Sequence, residues 1–255
     1  MRDILESVAA GELSPAAAEA RLAGYASTDA GRFDAAREDR RGIPEAILAD
    51  GKTPDETASL VLTAVETTGR ALVTRADEAT VEAVRTRVDA AVADATVDTD
   101  ERARTLVARA PHHEPPSLDA RVAVVTAGTS DAAAAGEATA VLREMGATID
   151  RIDDVGVANI NRVLDQREAL RAADVLIVAA GREGALPTVV AGMVDAPVIA
   201  LPVSVGYGYG GEGDAALAGM LQSCSVLSVV NVDAGFVAGA QAGLVAQAID
   251  AARRT

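Results

Sequence analysis

The chain has no tryptophan, two phenylalanines and three tyrosines among 255 residues, so aromatics supply only 2% of it. Hydrophobic residues still make up 49%, and mean hydropathy is +0.18. That is enough to bury a core and excludes a disordered chain. The core must come from Ala, Val, Leu and Ile, a composition that suits buried parallel strands between Ala-rich helices. The single cysteine, Cys224, excludes a disulfide framework and any multi-cysteine metal site. No apolar run approaches the ~20 residues that cross a bilayer. The opening MRDILESVAAGE has no apolar signal-peptide segment. The expectation is a soluble, cytoplasmic protein without a membrane partner.

Lysine is nearly missing too, with Lys52 alone beside 22 arginines. Net charge is −15 and the isoelectric point is near 4.5. Nucleic acid is disfavoured, because its binding rests on neutralising phosphates with bases. The acids number 22 against 14 bases before residue 119, and 16 against 9 from there on, so no acidic tail exists. A solvated acidic surface of the kind halophilic proteins use explains this balance, and a GC-rich genome also favours Arg over Lys.

What is present falls into two parts. Pro111-His112-His113-Glu114-Pro115-Pro116-Ser117 carries three prolines in six residues, which neither a helix nor a central strand accommodates. The reading is a small α/β domain over 1–110, a Pro-rich linker over 111–118 and a larger domain over 119–255. The first part opens with two short helices, the second started by Ser14-Pro15 as cap and first-turn proline. Short strands are expected at Ile43–Leu48, Ala71–Arg75 and Thr105–Ala108, with helices beginning at Thr53-Pro54 and near Asp77.

In the second part the apolar runs 122–127, 174–180, 197–203 and 225–232 read as buried parallel strands, and 147–153 as a more polar strand near an edge. Helical stretches are expected at 131–145, 157–172, 184–194, 214–222 and 236–252. Five alternations of strand and helix mean a doubly wound parallel sheet, an α/β three-layer fold. Sixteen of the 22 glycines lie in this part. In such sheets ligands sit beyond the carboxyl ends of the strands, which selects the loops to read.

Gly128-Thr129-Ser130-Asp131 leaves the first strand and opens a helix, where Ser130 or Asp131 either caps it or frames an anion site. Asp153-Asp154-Val155-Gly156 follows the second strand, and its acids suit ribose hydroxyls, a cation or a plain turn. Gly181-Arg182-Glu183-Gly184 places a charged pair at the end of a buried strand. The segment 204–213, SVGYGYGGEG, matches G-x-G-x-x-G in two registers, and Asp233 lies about 20 residues further on, as the dinucleotide fingerprint requires. That fingerprint belongs to the first strand–helix turn, however, and this loop follows the fourth strand. A mobile glycine loop closing over a ligand fits better, with Tyr207 and Tyr209 able to stack on a planar ring. Cys224 follows a helix C-terminus and precedes a strand, on the edge opposite these loops. From chemistry alone it reads as a small buried hydrophobe.

GTSD (128–131), DDVGVA (153–158), GREGALPTVVAGM (181–193), SVGYG (204–208), GMLQSC (219–224) and VVNVDAGFVA (229–238) resemble, in order and spacing, the LarB family of nickel-pincer cofactor biosynthesis. The second half also resembles the phosphoribosylaminoimidazole carboxylase (PurE-like) fold. The first half joins the resemblance through Arg40-Arg41-Gly42-Ile43-Pro44-Glu45, Gly51-Lys52-Thr53-Pro54 and Val73-Thr74-Arg75.

The resemblance implies carboxylation of nicotinic acid adenine dinucleotide at pyridinium C5 and hydrolysis of its phosphoanhydride. The products would be pyridinium-3,5-biscarboxylic acid mononucleotide and AMP. It implies Cys224 as nucleophile, Glu183 as base (with Asp131 or Asp154 as alternatives), CO2 or bicarbonate as co-substrate and no tightly bound organic cofactor. Mg2+ would be held by Asp154 and the substrate phosphates. Substrate contacts are expected from Gly128, Thr129, Ser130, Asp154, Arg182, Gly206, Tyr207 and Gly208, and from Arg40, Arg41 and Lys52 in the first half. The purine carboxylases also imply a homo-oligomer, an octamer, with Cys224 reaching a neighbour's site. Helices 214–222 and 236–252 are the expected interfaces, or else pack inside one subunit. Two departures stand out. Asn161 occupies a place where the family pattern suggests His, and Gly-Ala-Leu-Pro (184–187) lacks the purine carboxylases' His. A purine-biosynthetic carboxylase or mutase, and a non-catalytic nucleotide sensor, are the competing readings.

Overall fold

A computed structural model describes residues 2–111 and 113–255. The chain divides into two compact units, Met1–Glu114 and Pro115–Thr255. His112, inside the expected linker, lies outside the described residues.

The first unit begins with helices α1 (Arg2–Ala9) and α2 (Pro15–Ala23), the latter capped by Ser14, whose hydroxyl accepts from the Ala17 N–H at 3.1 Å. A hairpin of β1 (Ala26–Thr28) and β2 (Gly31–Phe33) and a short α3 (Arg37–Arg41) follow. Then come β3 (Ala46–Leu48), α4 (Pro54–Thr68), β4 (Arg70–Thr74), α5 (Glu78–Ala91), β5 (Thr96–Asp100) and β6 (Thr105–Arg109). The sheet order is β3-β4-β6-β5, with β3 and β4 parallel and the rest antiparallel. The strand expected from Ile43 starts only at Ala46, because α3 ends in a left-handed Gly42 and Pro44 has no N–H to give a ladder. The exposed, acidic β5 has no apolar alternation to announce it.

The second unit holds β7 (Arg121–Thr126), α6 (Ala132–Glu144), β8 (Thr148–Ile152), α7 (Ile160–Leu164), α8 (Arg167–Arg171), β9 (Val175–Ala180), α9 (Ala185–Ala191), β10 (Val198–Pro202), α10 (Asp214–Leu221), β11 (Ser228–Val229) and α11 (Gly235–Arg253). Its five strands are all parallel in the order β11-β10-β9-β7-β8. Counted within the unit this is 2-1-3-4-5, the flavodoxin-like winding, which reverses direction between β7 and β9. Apart from Arg121 at the start of β7, the central strands are buried, and side chains on their two faces feed two separate apolar clusters. On one face α11 lies directly on α6: a Cβ at Gly239 would meet the Ala138 carbonyl at 2.6 Å, and one at Gly243 the Met145 sulfur at 2.4 Å. No helix among the described residues is long and apolar enough to cross a membrane.

Two sequence expectations are corrected here. The single helix over 157–172 is two short helices, since within 160–171 only Val163 and Leu170 reach the core. The strand over 225–232 shrinks to Ser228–Val229. It is an edge strand with one neighbour, Val226 is exposed, and Asn231 Oδ1 takes the Val232 N–H at 2.9 Å instead of a ladder bond.

Candidate active site

A cleft of about 370 Å3 opens at the carboxyl ends of β7, β8 and β9, where the winding reverses. It is lined by Gly128, Ser130 and Asp131 after β7, by Gly156 and Arg162 after β8, and by Arg182 and Glu183 after β9. A smaller hollow of about 170 Å3 adjoins it, sharing Arg182, Glu183 and Val205 and bounded by Gly206, Tyr207 and Tyr209 of the glycine loop. Both lie wholly within the second unit.

Glycines let these loops close in. A Cβ at Gly156 would sit 2.6 Å from the Ala127 carbonyl oxygen, and one at Gly181 would sit 2.4 Å from that of Val205. Left-handed backbone recurs at the carboxyl ends of the strands. Asp154, Arg182 and Asp233, which follow β8, β9 and β11, all adopt left-handed φ (59°, 54° and 54°), uncommon outside glycine.

Asp131 is buried beneath the cleft floor at 3% exposure. Its Oδ2 accepts the Gly128 N–H at 2.8 Å. Burial raises its pKa above the ordinary aspartate value, opposed by backbone hydrogen bonds from Gly128, Gly181 and Ala127. Asp131 therefore ties the β7 and β9 loops together rather than facing solvent. Glu183 is exposed at the mouth shared by both hollows, beside Arg182, whose guanidinium stacks on the Tyr207 ring at 4.3 Å. Its backbone is held by α10, since a Cβ at Gly219 would lie 2.4 Å from the Glu183 carbonyl oxygen. Thr129 and Ser130 are exposed on the rim.

The sequence reading overlooked Arg162. Its Nη1 donates to the Asp154 carbonyl at 3.1 Å and pairs with the Asp154 carboxylate at 3.0 Å, while Nε is buried without a hydrogen-bond partner. Nε is enclosed, but the guanidinium as a whole lines the cleft and puts a positive charge there that favours an oxyanion. The available signal was an arginine just beyond the DDVGVA stretch, one residue after the noted Asn161. Asp154 is paired with Arg162, and no group of three metal-ligating side chains occurs among the described residues, so a cation here would rest on Asp154 and on the ligand's own oxygens.

Cys224 is exposed and does not line the cleft. It lies ahead of β11, in a turn pinned to α9: Thr188 Oγ1 bonds Ser223 Oγ at 2.9 Å, and Ser223 Oγ accepts the Ser225 N–H at 3.1 Å. Thr188 is the fourth residue of α9, so this turn sits about one helical turn from the Glu183–Gly184 bend along the helix. The first-half bases lie in the other unit. Arg40 makes a two-pronged pair with Asp34 at 3.0 and 2.7 Å, which lowers the Asp34 pKa; Lys52 donates to the Leu48 carbonyl at 2.7 Å; Arg41 is exposed.

Family models match the two units separately. Residues 25–110 match the family described as LarB/PurE-like N-terminal domain, and residues 121–255 match AIR carboxylase. An uncharacterised protein of Methanocaldococcus jannaschii is 37% identical over 219 residues, covering 85% of this chain and 84% of that protein. Crystal structures of Treponema denticola PurE and of a PurE2 variant each show 18% identity and a TM-score of 0.38. Each covers 52% of this chain and 94% of its own.

Proposed function

The chain belongs to the PurE-like carboxylase family with a LarB-type N-terminal domain, and from that membership we propose that it carboxylates nicotinic acid adenine dinucleotide at pyridinium C5 and hydrolyses its phosphoanhydride. The observation that carries the reading is the cleft at the β7/β9 switch point. It combines an exposed carboxylate, Glu183, with the positive charge of Arg162, which favours a substrate phosphate or carboxylate.

A pyridinium C5 is not nucleophilic, but C4 is electrophilic. In the proposed route the Cys224 thiolate adds to C4, forming a C–S bond and a 1,4-dihydropyridine whose enamine carbon is C5. C5 attacks CO2, making the new C–C bond and an iminium at N1. Glu183 takes the C5 proton, and the electron pair released expels the thiolate and restores the aromatic ring. One hard step becomes several easier ones. Glu183 suits the base better than its alternatives, because Asp154 is ion-paired with Arg162 and Asp131 is enclosed by backbone N–H groups. Gly128, Thr129 and Ser130 would meet the substrate on the β7 side, and Arg182, Gly206, Tyr207 and Gly208 on the other, with Tyr207 offering a ring face. No group of three metal-ligating side chains occurs among the described residues, so Mg2+ would be held by Asp154 together with the substrate phosphates, and no step is assigned to it.

Because Cys224 stands outside the cleft of its own chain, we also propose a homo-oligomer, an octamer, in which it completes a neighbour's site. The exposed Leu221 and Val226 on either side of it support this. A second reading, carboxylation of an aminoimidazole ribonucleotide, is favoured by the AIR carboxylase match of residues 121–255. Incubation with each substrate and bicarbonate separates the two. Release of AMP with a carboxylated pyridinium mononucleotide supports the first reading. Conversion of the imidazole instead supports the second, and binding without turnover of either would identify a sensor.

A further inference from the structure

Asp233 carries the acid that would complete a dinucleotide fingerprint, yet it is turned to another use. Its N–H donates to the Pro202 carbonyl at 2.9 Å, and its Oδ1 accepts the Ser204 N–H at 3.0 Å. These two bonds grip the chain where β10 ends and the glycine loop begins. The other end of the loop is seated on the neighbouring residue: Gly213, at φ 88°, packs so closely on Val232 that a Cβ would lie 2.5 Å from its Cγ1. Val232 and Asp233 thus close the root of the segment 204–213. Its tip is tied back to α10 by the Ala215 N–H on the Gly210 carbonyl at 3.1 Å, and Tyr207 and Tyr209 are both exposed. Gly208, within the tip, and Gly210, on its way back to the root, both take left-handed φ. The contact that brings the tip to the cleft is the Arg182–Tyr207 stack. Asp233 itself sits at φ 54°, a left-handed conformation that, glycine apart, aspartate and asparagine adopt more readily than most residues.

We infer that Asp233 is the positioning residue of the glycine loop: its carboxylate fixes the loop root so that Tyr207 closes on Arg182 at the mouth of the cleft. The part of this inference that concerns substrate rests on the proposed function; the part that concerns the loop does not.

Three variants test it by amide hydrogen exchange on the full-length protein. Asp233→Ala removes the acceptor, and Asp233→Gly removes it while relieving the backbone. Asp233→Asn keeps an acceptor oxygen and tolerates the left-handed φ. Loss of one backbone hydrogen bond should speed exchange in 204–213 by about tenfold in Ala and Gly, leaving β7 and β9 unchanged, and Asn should restore protection. With nicotinic acid adenine dinucleotide, the Ala and Gly variants should lose kcat/KM mainly through KM. If the glycine variant keeps wild-type protection in 204–213, or all three variants lose protection evenly across the sheet, the inference is overturned. Exchange that behaves as expected without any turnover would leave the hinge standing and refute the substrate assignment alone.

Discussion

At the scale of single residues, two side chains carry the proposed chemistry and little of the fold. Cys224 is exposed, and its turn is held by Ser223, Ser225 and Thr188 rather than by the thiol. Cys224→Ser should therefore lower carboxylation by at least ~10^3-fold while moving stability by no more than about 0.5 kcal/mol. Steady-state turnover and a thermal melt read the two effects separately. Glu183 is exposed as well, and Glu183→Gln should reduce kcat by roughly 10^2- to 10^4-fold with KM little changed, as removal of a general base does. Of the two, Glu183 was readable from its place between two glycines after an apolar run. Cys224 was not: the residues around it read as a buried hydrophobe, the structure exposes it, and only the resemblance gives it a role. Arg162 escaped notice because its meaning comes from its place in the cleft wall and its pair with the Asp154 carboxylate, neither of which a one-dimensional pattern reports.

Elements explain why some of the fold was readable and some was not. Strands buried on both faces, such as β7, β9 and β10, appear as unbroken apolar runs, and their bounds were found within a residue or two. Where burial is one-sided the signal weakens, as in the two-residue edge strand β11 and the divided stretch 157–172, whose apolar Ile160 and Leu164 face solvent. Close approaches are also invisible before the loops meet. Gly181→Ala would force a Cβ onto the Val205 carbonyl and should cost about 1–3 kcal/mol, measured by denaturant unfolding, while opening the cleft. Asp174, just before β9, joins the Arg121 N–H at 2.8 Å to the Arg253 guanidinium at 3.0 and 2.6 Å. The Arg253 hydrogen bond is the main reason its pKa falls below 3.8. A lowered carboxylate pKa contributes stability above the unfolded value and loses it as pH falls through the folded one. Acidification below about pH 4 should thus destabilise the wild type more steeply than Asp174→Asn, by no more than about 1 kcal/mol for so exposed a pair. Equal slopes in pH-dependent melts would count against the bridge.

Across the whole molecule, a net charge of −15 divided over both halves means self-repulsion that added salt screens. The melting temperature should rise between low and molar KCl, and a flat or falling curve would show that the acidic surface brings no such strain. Assembly offers a sharper test of the shared site. Cys224→Ser and Glu183→Gln, each inactive alone, should regain activity when co-assembled, because some sites then contain neither lesion; a monomer in sedimentation, or complete failure to complement, would refute sharing. The central claim, carboxylation of a pyridinium ring through Cys224, is met most directly by one measurement. Wild type and Cys224→Ser are incubated with nicotinic acid adenine dinucleotide and 13C-bicarbonate, and the products are read by mass spectrometry and 13C NMR. The account predicts a labelled carboxyl on ring C5 of a mononucleotide, released with AMP by the wild type and missing from the variant. An unlabelled ring, or label that appears equally in the serine variant, would contradict it.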